Sequence, residues 1–270
     1  MNRIQTLFQN KAENILNIYC TAGFPNLQDT ETIILALEKV GVDLVEIGMP
    51  YSDPLADGPT IQQSGERALA NGMTLPLLFQ QIESVRKRTE IPLILMGYFN
   101  PVMQYGEERF FRKCAEVGID GLILPDMPLH VYEEQFQDLF SDLNLSISFL
   151  ITPQTPEERI RKIDELTRGF IYMVSSASIT GVKEGISAEQ LAYFERIRGM
   201  NLKNPRLIGF GISNRETFET ACKYASGAII GSAFIKAVSN TGHRPALASP
   251  TLAAMEFVQN IRGAVAKEAV

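Results

Sequence analysis

Short apolar runs of four to eight residues, rich in Ile, Val and Tyr, alternate along this chain with longer stretches whose apolar residues recur every three to four positions. Eight such runs stand out: ILNIYCTA (15–22), DLVEIGM (43–49), PLILMGY (92–98), DGLILPD (120–126), LSISFLIT (145–152), FIYMVSS (170–176), RLIGFGI (206–212) and GAIIGSA (227–233). Between them lie helical patterns such as DTETIILALEKVG (29–41), MTLPLLFQQIESVRKRT (73–89), GEERFFRKCAEVG (106–118) and TPEERIRKIDELT (155–167). Several close on glycine, as helix C-termini often do. Strand and helix in regular alternation is the mark of βαβ units on a parallel sheet, and eight of them predict an α/β fold, a closed (β/α)8 TIM barrel. An open doubly wound sheet is the rival; the chain lacks the early GxGxxG turn expected of a dinucleotide fold. The segments LEKVGVDLVEIG and RKCAEVGIDGLILPD resemble each other, as successive units of one barrel would. The opening NRIQTLFQNKA predicts an extra N-terminal helix lying across the barrel's bottom. NTGHRPALASP (240–250) breaks the last helical pattern and TLAAMEFVQNIRGAVAKEA resumes it, so residues 1–270 are expected to form one barrel domain.

Composition narrows the function classes. The net charge of −6, from 31 acidic and 25 basic residues without blocks, argues against a nucleic-acid groove. No apolar run reaches the roughly 20 residues of a membrane span, and MNRIQTLFQNKAEN is too polar for a signal peptide, so a cytoplasmic location is expected. Cys20, Cys114 and Cys222 lie far apart in apolar contexts, the pattern of reduced, packed thiols. With His130 and His243 as the two histidines and no CxxC, no metal site is expected.

Candidate chemistry concentrates after the second run, in VEIGMPYSDPLADG. Alternation turns Glu46 to the face opposite Val45 and Ile47, toward the mouth where barrel active sites form. A carboxylate partly withdrawn from water there can hold and release a proton near neutral pH. The alternative is an ion pair with Lys or Arg inside a barrel layer, and the sequence leaves it open. Asp53, before a proline, fits a turn-capping acid; Asp57 is a second acid, carried over the mouth on a loop braced by Pro50, Pro54 and Pro59. Three glycine-bearing turns follow the last strands: ITGVKEG, GFGIS and IIGSA. Each glycine alone reads as a turn residue, but Gly181, Gly211, Gly231 and Ser232 together fit a phosphate cradle of backbone N–H groups.

These stretches carry a family resemblance. VEIGMPYSDPLADGP, with TAGFP (21–25), MGYFNPVMQYG (96–106), GLILPDMP (121–128), GFGIS (209–213) and GSAFIK (231–236), resembles the tryptophan synthase alpha chain from Leu7 to about Val238. The resemblance implies a lyase that cleaves indole 3-glycerol phosphate by a retro-aldol reaction into indole and glyceraldehyde 3-phosphate. It implies Glu46 and Asp57 as the catalytic acids and Tyr19, Met96, Ile123, Tyr172, Thr180 and Phe210 as substrate-binding residues. It further implies no cofactor in this chain, and a pyridoxal-phosphate beta chain as partner in an alpha2beta2 heterotetramer, met at Asp53, Pro54 and Asn100. Departures fall in SSASITGVKEG, where Ser176 and Ser178 stand in places many relatives fill with arginine and glycine, and at Phe24, where aspartate is frequent. Two other readings are an activator of a beta chain with little cleavage of its own, against which intact Glu46 and Asp57 argue, and a barrel enzyme acting on a phosphorylated sugar. The second lacks metal ligands and a lysine suited to a Schiff base.

Overall fold

The computed structural model describes residues 1–175, 186–209, 211–239 and 249–263. Within them every apolar run contains a strand: β1 (Ile15–Thr21), β2 (Leu44–Gly48), β3 (Leu93–Met96), β4 (Gly121–Ile123), β5 (Ser146–Ile147), β6 (Leu150–Ile151), β7 (Ile171–Val174), β8 (Arg206–Gly209) and β9 (Gly227–Ile230). All pairings are parallel, in the order β5-β4-β3-β2-β1-β9-β8-β7-β6. The fifth run thus carries two short strands rather than one. Its first half pairs with β4 and its second with β7, and the switch occurs at Ser148 and Phe149: Ser148 N–H donates to Leu122 O (3.1 Å), while Phe149 O accepts from Tyr172 N–H (2.9 Å). The two ends of the sheet are therefore joined through the chain itself, which closes the barrel.

Alternation sorts the strand residues into two apolar layers. Leu16, Ile18, Val45, Ile47, Leu93 and Leu95 pack outward against the helices, whereas Ile15, Leu44, Ile94, Ile123, Phe170, Tyr172, Leu207 and Ile229 fill the interior. A sheet buried on both faces explains the nearly continuous apolar runs. The predicted N-terminal helix is Arg3–Asn10, started by a capping box between Asn2 and Gln5. Its Ile4, Leu7 and Phe8 join the interior cluster, and Asn2 Nδ2 donates to Asp120 O (2.8 Å) and Ser146 Oγ (2.8 Å) at the strand N-termini. The helix plugs the bottom, leaving the C-terminal mouth for chemistry.

Between β2 and β3 run two helices, Pro59–Ala70 and Leu75–Arg86. The first, with Gly58 as N-cap and Pro59 in its first turn, fixes the far end of the acid-bearing loop. The terminal helix Pro250–Arg262 begins at Ser249, and its Arg262 pairs with Asp43, which also binds Lys11 at 2.7 Å.

Candidate active site

Glu46 sits at the centre of β2, paired in register with Tyr19 of β1 and Ile94 of β3. Val45 and Ile47 point to the outer layer, so the same pleat aims Glu46 inward, where it is fully buried. Oε1 accepts a hydrogen bond from Asn17 Nδ2 at 2.5 Å, and among the described residues Oε2 has no partner. No Lys, Arg or His among them pairs with this carboxylate, which removes the barrel-layer ion pair as an alternative. The withdrawal from water is complete rather than partial. Burial pushes the carboxyl up to about 8, with the Asn17 hydrogen bond pulling the other way.

Asp57 lies on the loop after β2. Gln62 Nε2 donates to Asp57 O (2.9 Å) and Pro54 O (3.1 Å), while Asp57 N–H donates to Pro54 O (3.2 Å), so the loop is closed on itself. The Tyr98 hydroxyl donates to Asp57 Oδ2 (3.2 Å) and accepts from Ala56 N–H (2.9 Å). Desolvation raises the Asp57 carboxyl, and the Tyr98 bond opposes it.

Tyr19 and Tyr172 connect the two acids. Burial raises both phenols well above their usual range, and the charges of Asp57 and Glu46 push each of them further. The four groups therefore share one electrostatic environment, although they come from β1, β2, the loop after β2, and β7. Both tyrosines lie over a strand-end glycine: a Cβ at Gly48 would collide with the Tyr19 hydroxyl, and one at Gly209 with the Tyr172 hydroxyl. Met96 and Ile123, paired in register on β3 and β4, extend the same interior wall.

At the mouth, β8 and β9 are neighbours, with Leu207 opposite Gly227. Gly211 after β8 takes φ 78°, a conformation that favours glycine, and it is exposed, with Ser175 Oγ 3.8 Å from where a Cβ would stand. Gly231 after β9 packs beside Tyr19, its carbonyl accepts from Ile235 N–H (3.0 Å), and Ser232 opens the helix Ser232–Ser239. Thr180, Gly181 and Phe210 lie outside the described residues, as do Ser176, Ser178, His243 and most of the 240–250 segment.

Asp53 is exposed and accepts from the Ser52 hydroxyl, while Pro54 O is held by Gln62 as above. Asn100 lies in the helix Phe99–Tyr105 and accepts from Gln104 Nε2 (2.8 Å). Since Tyr98 immediately precedes that helix and bonds the acid loop, the Asp53 and Asn100 segments are neighbours; exposed Leu55 and Met103 belong to them. Phe24 is buried in the outer core and has Arg67 stacked over its ring at 5.6 Å, which gives the aromatic a packing role in place of aspartate. His130 is exposed; Cys20 and Cys114 are buried and Cys222 half-buried, all three free thiols. Among the described residues no His, Cys, Asp and Glu cluster could hold a metal, and no helix is long and apolar enough to cross a membrane.

Two residues of the site escape a sequence reading. Asn17 is the sole polar residue of ILNIYCT before Tyr19 and, two positions away, shares its face; that spacing was the available signal. Tyr98 sits in MGYFNP with nothing local to announce its bond to a loop 41 residues earlier.

Comparison with known proteins agrees with this fold. The family model for the tryptophan synthase alpha chain matches residues 5–264. A tryptophan synthase alpha chain of Flavobacterium johnsoniae is 60% identical over 242 residues, 90% of this chain and 95% of the relative. One from Phocaeicola vulgatus is 57% identical, covering 87% of this chain and 91% of its own length. The crystal structure of the alpha subunit from Legionella pneumophila superposes with a TM-score of 0.86 at 31% identity, covering 97% of both chains. A chain of the tryptophan synthase complex of Pyrococcus furiosus gives 0.82 at 32% identity, covering 93% of this chain and 99% of that one. The chain therefore belongs to the tryptophan synthase alpha chain family, the TIM-barrel lyases that cleave indole 3-glycerol phosphate in tryptophan biosynthesis.

Proposed function

We propose that Glu46 is the proton shuttle of this lyase and Asp57 its electrostatic partner. Breaking the bond between indole C3 and the glycerol chain needs a proton on C3, giving an indolenine, and loss of the adjacent hydroxyl proton as the aldehyde forms. The electrons of the broken bond return to the ring. Glu46, protonated at rest, gives its proton to C3 and then takes the hydroxyl proton, ending as it began. The observation that carries this role is a fully buried carboxyl with one oxygen unpartnered and a value near 8, poised to be an acid first and a base second. Asp57 accepts a hydrogen bond from the ring N–H and steadies the positive charge that protonation puts on the ring. The Tyr98 hydroxyl supports the ionised form it needs.

Tyr19, Met96, Ile123 and Tyr172 form the wall against which the indole packs, with Thr180 and Phe210 assigned to the same pocket by the family resemblance alone. Gly211, Gly231, Ser232 and Gly181 are assigned to the phosphate, which backbone N–H groups and the helix Ser232–Ser239 N-terminus can receive. The cleavage needs one proton delivered, one proton taken and a developing positive charge steadied, which these two carboxyl groups can supply, so the chain needs no cofactor of its own. The face bearing Asp53, Pro54 and Asn100, with Leu55 89% and Met103 48% exposed, is where we seat a beta chain carrying pyridoxal phosphate, in an alpha2beta2 assembly in the cytoplasm. The alpha2beta2 complex of Pyrococcus furiosus supports that stoichiometry, its alpha subunit matching this chain with a TM-score of 0.84. The barrel is taken to be one domain over residues 1–270.

Replacing Glu46→Gln and Asp57→Asn tests the assignment by indole release from indole 3-glycerol phosphate. We expect Glu46→Gln to lose about a hundredfold or more in kcat and Asp57→Asn a comparable amount. Either variant cleaving at the parent rate overturns the role given to its residue.

A further inference from the structure

We infer that Asn17 is a positioning residue for the cleavage reaction: its amide pins one oxygen of the Glu46 carboxyl and leaves Oε2 as the oxygen that exchanges protons with the substrate. The inference rests on the shuttle role proposed for Glu46.

The surroundings of Asn17 make an amide there hard to explain by packing. It lies on the inner face of β1, paired in register with Leu44 on one side and Ile229 on the other, and it is fully buried. Its neighbours Leu44, Ile229, Ile15 and Ile94 make up an apolar layer of the barrel interior. Burying an amide in such a layer costs free energy unless its polar atoms are satisfied. One of them is not: among the described residues Asn17 Oδ1 has no partner. Among the described residues the one hydrogen bond the side chain makes is the 2.5 Å bond from Nδ2 to Glu46 Oε1. A leucine or valine would pack this layer without an orphaned oxygen, so the asparagine is kept at a cost to the fold and returns only its grip on Glu46.

That grip decides which way the carboxyl faces. The terminal torsion of a glutamate is soft and roughly two-fold, so a buried carboxyl without a donor can present either oxygen. Once Glu46 is ionised its oxygens only accept, so Nδ2, not Oδ1, must face Oε1 in that form. With Oε1 occupied, Oε2 is the remaining oxygen. The groups facing Glu46 from adjoining elements do not compete. Tyr19 on β1 and Tyr172 on β7 are both raised by burial and neutral in the working range, β3 presents aliphatic Ile94, and Cys20, raised as well, lies on the outer face of β1 beside Ile47. Among the described residues Asn17 is thus the one donor to Glu46, and it favours the ionised form.

The test compares Asn17→Leu with the parent in four readouts: kcat, KM, the pH dependence of kcat, and the titration of the Glu46 carboxyl followed by 13C NMR. We expect kcat to fall about ten- to a hundredfold with KM little changed. The Glu46 titration and the matching limb of the pH profile should both move to higher pH, because the donor to the ionised form is gone. The thermal midpoint should change little, since the variant removes the orphaned Asn17 Oδ1 but leaves Glu46 Oε1 without its donor. If Asn17→Leu does not fold, Asn17→Ser is read the same way for kcat and titration. A titration that stays in place, or a kcat held near the parent, overturns the assignment. Glu46→Gln measured alongside separates the two levels. Parent-like activity in Glu46→Gln removes the shuttle role and Asn17's with it, whereas an inactive Glu46→Gln beside an unaltered Asn17→Leu removes only the positioning role.

Discussion

Glu46 has no cation within pairing distance among the described residues and a single neutral donor on one oxygen, so ionising it inside the folded chain forfeits the solvation that water gives the same group when unfolded. Its folded value of about 8 lies above the ordinary 4.5. The native state therefore keeps a proton that the unfolded chain has already released across that window. The stabilising contribution is whole below 4.5 and drains away as pH rises through about 8. Replacing Glu46→Gln, which stays neutral, removes the dependence. In denaturant melts the variant should gain on the parent from pH 5 to pH 9, by about 1.4 kcal/mol per pH unit at most. A constant gap between the two curves contradicts the buried, unpaired acid. The inward direction of Glu46 was legible from its apolar flanks Val45 and Ile47, but its depth and its neutral partner were not. Both depend on which strand lies beside β2, a fact that local pattern does not contain.

At the level of elements, the strand ends are where two rings are fitted over two glycines. Tyr19 occupies the space a Cβ on Gly48 would need, and Tyr172 does the same at Gly209. Gly48→Ala must therefore shift the Tyr19 ring off the wall shared with Glu46. Such overpacking costs about 1–3 kcal/mol, and we expect kcat/KM to fall about tenfold together with a drop in thermal midpoint; unchanged kinetics would mean the ring does not line the reacting pocket. Strand runs were readable because a sheet covered on both faces needs apolar residues at nearly every position. The break of LSISFLIT into β5 and β6 was not, since what changes at Ser148 and Phe149 is the pairing partner rather than the residue pattern. The helix Pro59–Ala70 gave no apolar period to find: it buries Ser64, Gly65 and Ala68, small residues that allow close approach.

For the molecule as a whole, closure of the barrel is what turns separate motifs into a site. Glu46 on β2, Asp57 beyond it, Tyr172 on β7 and the glycine turns after β8 and β9 are dispersed over most of the chain, and the ring of parallel strands gathers the described ones at one mouth. The plug formed by Ile4, Leu7 and Phe8 leaves the opposite end filled. Which acids belong together was legible in the sequence through VEIGMPYSDPLADGP, a motif long enough to name its family. The supporting groups were not legible, because Asn17 and Tyr98 reach the acids across the fold, from another strand and from another loop. The most direct test of the account is a crystal structure of the chain with indole propanol phosphate, an uncleavable mimic of the substrate. We expect the ring N–H on the Asp57 carboxylate, Glu46 Oε2 facing indole C3, and the phosphate against Gly211, Gly231 and Ser232. A mimic bound with its ring away from Glu46, or with its phosphate held elsewhere, would contradict it.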